Sequence, residues 1–115
     1  MNDIDIPILK KSYELYKTFH EFRKLVPKHD RFTIYERAER VILDALEGIF
    51  LAGYRQSGTK RAVLETVSVK LNLLRLLLRL MKDTKTLDGK KYVTIQGVVD
   101  EIGRMLGGWI RSLHE

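Results

Sequence analysis

"AVLETVSVKLNLLRLLLRLMK", residues 62–82, decides the fold. Its polar positions Glu65, Ser68, Asn72, Arg75, Arg79 and Lys82 advance by three or four residues. That is the period of an α-helix, not of a strand. On a helical wheel they form one stripe about 100° wide. Nearly everything else is apolar: Val63, Val67, Leu71, Leu74, Leu78, Met81 and the leucines between them. An arc that wide exceeds what one ordinary bundle core buries. Either this helix is central to its domain, or its excess face is covered by another subunit. With few helices in the chain, the subunit is the expectation. Lys70 lies inside the apolar arc, with its stem expected to be buried and its amine to reach water.

Three further helical patterns flank this one. Ile8, Leu15, Phe19, Phe22 and Val26 recur at helical spacing until Pro27 interrupts them. After "PKHDRF", Thr33 and Glu36 read as a capping box. The helix it opens repeats Ala38, Ala45 and Ala52 every seven residues beside Val41, Ile42, Leu46 and Ile49. Small residues in that register let a neighbouring helix approach closely. "DTKTLDGKKYV" reads as a basic turn, after which Thr94 begins a helix with the stripe Ile95, Val99, Ile102, Leu106, Trp109 and Leu113. The expectation is one all-α domain over residues 1–115, an up-down-up-down four-helix bundle with helices at about 8–25, 33–55, 59–83 and 94–113.

At 115 residues with 44% hydrophobic content and two prolines, the chain has the composition of a folded domain. It has no cysteine, which removes disulfides, thiolate metal sites and cysteine nucleophiles and fits a reducing, cytoplasmic setting. "MNDIDIPILKK" lacks the apolar core of a signal peptide, and the longest uncharged run is eight residues, 92–99, so no membrane span is expected. The net charge is +6, and it is segmental. Residues 55–91 hold ten Lys or Arg against three acids, residues 8–31 seven against three, and residues 32–54 come to −2. Such an imbalance points to an anionic partner or to a solvated basic face.

"EIGRMLGGWIRS", residues 101–112, sets Gly103, Gly107 and Gly108 inside an amphipathic helix. Each interior glycine costs about 1 kcal/mol relative to alanine. Gly103 borders the core stripe, while Gly97 and Gly108 fall on the outer side with Arg104 and Arg111. Bare backbone beside two arginines suggests close contact with something outside the bundle, a second subunit or an anionic ligand. The alternative is that the pair Gly107–Gly108 frays or bends the last turns.

"EIGRMLGGW" at 101–109 resembles the C-terminal signature of the accessory variability determinant proteins of diversity-generating retroelements. The resemblance extends to "VPKHDRFTIYERAE" at 26–39 and "LLRLLLRLMKDTKTLDGKKY" at 73–92, in order and covering most of the chain. It implies a four-helix bundle assembled as a homopentameric ring. It also implies a basic surface that binds reverse transcriptase and template RNA, or an RNA–cDNA hybrid, in support of mutagenic cDNA synthesis. The four-helix proteins of ribosomal RNA intervening sequences share the bundle, and through them a purely structural interaction scaffold is the other reading.

The residues of an enzyme are not assembled. Glu-x-x-His, which carries di-iron sites in bundles, is absent, and His20, His29 and His114 have no partner at metal-ligand spacing. His20 reads as a partly buried helix residue, and Tyr13 and Tyr16 as core. Asp100 and Glu101 read as acids near a helix N-terminus. No catalysis, metal or cofactor is expected. The expected binding residues are Arg75, Arg79 and Lys82 on the polar stripe, Lys85, Lys90 and Lys91 in the turn, and Arg104 and Arg111 on the last helix, with Gly103, Gly107 and Gly108 as close-packing positions.

Overall fold

The computed structural model describes residues 6–113, apart from the side chain of Ser57. Within them the chain is helical throughout, with no strand. Its elements are α1 (Pro7–Phe22), a single-turn α2 (Lys28–Arg31), α3 (Ile34–Tyr54), α4 (Ser57–Asp83) and α5 (Gly89–Ser112). The four long helices pack in a cycle, α1 on α3, α3 on α4, α4 on α5, and α5 back on α1. The bundle is 45 Å long and 24 by 22 Å across.

Each helix buries most of the stripe its spacing foretells, with Phe22, Leu46, Val63, Trp109 and Leu113 half-buried at its margins. Phe19, Tyr35, Ile42, Leu74, Leu78, Ile95 and Ile102 are fully enclosed. The alanine heptad of α3 is buried, and Gly48 completes it: a Cβ built there would lie 2.4 Å from Val67 Cγ2 of α4. The missing Cβ at Gly48 leaves room for Val67 and so for the close approach of α3 and α4. Phe19 stacks on Tyr35 with ring centroids 4.1 Å apart, and the Tyr35 hydroxyl donates to the Phe19 carbonyl. Burial and the nearby Glu39 charge raise the pKa of this hydroxyl, so it stays a donor.

Several helix ends differ from the expectation. α1 tightens into a 3-10 turn over Arg23–Leu25 before Val26, extended as a residue preceding proline must be. α2 occupies the segment expected to be loop. Thr33 does not cap α3; its hydroxyl donates to the His29 carbonyl at 3.2 Å, and Glu36 turns to Arg40 instead. α5 begins at Gly89, five residues before Thr94, because Asp88 caps it by accepting the Lys91 N–H at 2.8 Å. Lys90 and Lys91 are therefore first-turn residues of a helix. Asp100 and Glu101 are mid-helix, where Asp100 meets Arg75 and Glu101 meets Lys11 at 3.1 Å.

α4 is not central. Its inner face is core, yet Val69 is 67%, Leu76 65% and Leu80 46% exposed. With Ala62, Thr66 and Leu73 these residues advance by four, three, four, three and four along one outer line. That is the spacing of a coiled-coil seam, and the bundle leaves all of it but the half-buried Leu73 exposed.

Candidate nucleic-acid interface

The bundle brings two sequence-distant basic segments to one end, here the upper end. Thr86, in the α4–α5 connection, donates to Asp30 of α2 at 3.0 Å. The Lys91 amine lies 5.8 Å from the Phe22 ring centroid across the same junction. Residues 21–33 and 79–91 thus share the upper end, with nine Lys or Arg against four carboxylates. Arg79 pairs with Asp83 at 3.8 Å, Lys91 with Asp88 at 2.6 Å, and Lys24 with Glu21 at 3.6 Å. Lys82 lies over the Tyr92 ring at 5.1 Å. Lys28, Lys82, Lys85 and Lys90 are exposed and have no carboxylate partner among the described residues.

Lys85 is held at a backbone angle that favours glycine, φ 62°. It closes α4 in a Schellman turn: the Lys85 N–H donates to Lys82 at 3.1 Å and the Thr86 N–H to Met81 at 2.8 Å. A non-glycine residue there carries strain, so the connection holds a lysine where backbone energetics favour glycine.

The expected site residues do not form one surface. Arg75 does not project into solvent: its Nε donates to Asp100 at 3.0 Å and its Nη1 to Asn72 at 2.7 Å, tying α4 to α5. Arg104 and Arg111 lie in the other half of the bundle, away from residues 79–91.

The glycines also have an intramolecular use. A Cβ at Gly103 would sit 2.6 Å from Arg75 Nη2, and one at Gly107 would sit 3.2 Å from Arg111 Nη1. Gly103 makes room for the Arg75 guanidinium, and Gly107 and Gly108 lie beneath the Arg111 side chain. The reading of bare backbone awaiting an outside partner is corrected to this extent.

Three smaller expectations change or stand. Lys70 does reach out, to Asp44 at 3.3 Å. His20 is exposed rather than partly buried, Tyr13 is exposed, and only Tyr16 packs at the core margin. His114 lies outside the described residues.

Sequence reasoning missed Arg61, whose Nη2 donates to the Ile110 and Leu113 carbonyls at 3.3 and 3.4 Å. It closes the end of α5, and no local spacing signals a contact between residues this far apart. Among the described residues no group of three His, Cys, Asp or Glu could hold a metal, and no helix is long and apolar enough to cross a membrane.

Fold and surface together define an all-helical bundle rich in exposed cations. A family model described as bAvd-like matches residues 6–113, and the chain belongs to that family. The match agrees with the resemblance to the accessory variability determinant proteins, an accessory and not a catalytic family. No curated protein matches the chain.

Proposed function

We propose that this protein is a non-catalytic accessory factor of a diversity-generating retroelement. In this reading it binds the template RNA, or the RNA–cDNA hybrid, together with the reverse transcriptase, and supports mutagenic cDNA synthesis. One observation carries the proposal: two distant basic segments converge on the upper end, where Lys28, Lys82, Lys85 and Lys90 have no carboxylate partner among the described residues. Unpaired cations on a fixed platform suit a phosphate backbone, which gains affinity by counterion release. The uncovered seam on α4 supports assembly of identical subunits, five on the family resemblance. A ring would repeat the lysine cluster, so modest attraction per subunit would become multivalent binding.

The test is RNA binding as a function of salt. The variant Lys82→Glu, Lys85→Glu, Lys90→Glu should lose most RNA affinity and flatten the dependence of log K on log salt by about 0.7 per phosphate contact removed. Arg75 is excluded from this variant, since a glutamate there would face Asp100. Equal binding by parent and variant at matched salt would reduce the lysine cluster to a solvated surface and leave a structural scaffold.

A further inference from the structure

The lower end of the bundle is basic in a different way. Residues 50–61 and 110–113 meet there, joined by the Arg61 bonds to the Ile110 and Leu113 carbonyls, with Arg104 higher on α5, one turn below Asp100. Besides Arg104, these two segments hold Arg55, Lys60, Arg61 and Arg111, of which Arg61 pairs with Glu65 at 4.0 Å. Along the waist, by contrast, pairing is the rule: Lys11 with Glu101, Lys70 with Asp44, and Arg75 with Asp100, at 3.0–3.3 Å. Arg55, Arg104 and Arg111 are exposed and have no carboxylate partner among the described residues.

Beside Arg55, α3 ends in two exposed rings, Phe50 and Tyr54, with centroids 5.0 Å apart. Exposed rings next to cations are what unpaired bases stack on, and a duplex offers them nothing. The two ends lie along a 45 Å axis. That exceeds the screening length of about 8 Å at physiological salt, so neither end competes for the other's field.

We infer that the lower end is a second nucleic-acid surface, fitted to single-stranded RNA or cDNA, and that the protein holds separate strand segments at its two ends. The inference rests on the proposed function at the upper end and extends it from binding to bridging.

The experiment is a sandwich capture. A 12-nucleotide single-stranded RNA is immobilised, the full-length protein is added, and capture of a second, dye-labelled RNA of the same sequence is read. The parent should capture the second strand. In a background of Leu76→Ser with Leu80→Ser, where no neighbouring subunit offers a second upper end, Arg55→Glu, Arg104→Glu, Arg111→Glu should still bind the immobilised RNA through the upper end, yet capture at least tenfold less of the second. The triple glutamine variant, which adds no new charge, should show the same loss in smaller measure with unchanged helicity. Tyr54→Ser should weaken single-strand binding several-fold while leaving an equal-length RNA duplex unaffected.

Undiminished capture by both lower-end triples would overturn bridging and leave the upper-end reading standing. A parent that binds no RNA would overturn the upper-end reading itself.

Discussion

One added methyl has opposite consequences at two glycines. At Gly48 the new Cβ would press on Val67, a buried and branched side chain of the neighbouring helix, at 2.4 Å. Overpacking of that kind costs about 1–3 kcal/mol, more than the gain of about 1 kcal/mol in helix propensity. Gly48→Ala should therefore lower the urea midpoint. At Gly103 the obstacle is the far end of Arg75, which can swing away. Its half-exposed ion pair is worth at most about 1 kcal/mol, and the propensity gain offsets it. Gly103→Ala should leave stability within about 0.5 kcal/mol of the parent, and a loss beyond that would show the arginine to be irreplaceable. A helical wheel shows which residues share a face, but not how far a guanidinium on another helix reaches. That is why the sequence suggested outside partners for these glycines and the structure supplies arginines. Gly48 passed unnoticed because its neighbour belongs to a different helix.

Tyr35 permits a pH prediction. Its buried hydroxyl has a pKa raised above the value of about 10 it has when unfolded. A raised pKa means the folded state keeps its proton where the unfolded state sheds it. The stability this contributes is complete below about pH 10 and is lost as pH rises above it. Tyr35→Phe should cost about 1–2 kcal/mol at neutral pH through its lost hydrogen bond. Its stability should then fall less steeply than the parent's between pH 10 and 11, read from urea midpoints. A parallel fall in both proteins would assign the alkaline sensitivity elsewhere.

Among the elements, the α4–α5 connection carries the clearest conflict between stability and charge. Lys85 occupies a left-handed position at which a non-glycine residue costs about 1 kcal/mol. Lys85→Gly should raise stability by about that amount while weakening RNA binding; a gain in stability with unchanged binding would deny the amine a role. Lys90 sits in the first turn of α5, where the helix dipole disfavours cations. Lys90→Glu should stabilise the helix by a few tenths of a kcal/mol and weaken binding, as thermal melts and titration would show together.

The four long helices and their inner faces were legible because 3.6-residue periodicity records burial directly. The start of α5 was not, since "LDGKK" has the composition of a turn and becomes a helix opening only through the Asp88 cap. The site was half legible. Spacing identified exposed lysines, but it could not foretell that Arg75 would find Asp100 or that residues 23–31 would join residues 79–91.

At the scale of the molecule, the exposed seam of Val69, Leu73, Leu76 and Leu80 is where the proposed association can be tested. Leu76→Glu with Leu80→Glu removes no core contact of the subunit, because both side chains face outward. If the seam joins copies, light scattering should fall from an oligomer to a mass near 13.4 kDa with helicity retained. An unchanged mass would place the subunit contact on another face.

The packing of α5 on α1 bears on how the chain acquires its structure in time. Of the described helices α1 is made before α5 yet packs against it, whereas the contacts of α3 with α4 join adjacent stretches of chain. Pairing α3 with α4 closes a short loop; bringing α5 to α1 closes one that spans the whole domain, and such closures come late. Until α5 arrives, the nascent chain exposes the groove that Ile95, Val99, Ile102 and Leu106 will fill. That hydrophobic opening persists from the packing of α1, α3 and α4 until α5 has been made. It is the interval in which this protein is open to aggregation or to chaperone capture.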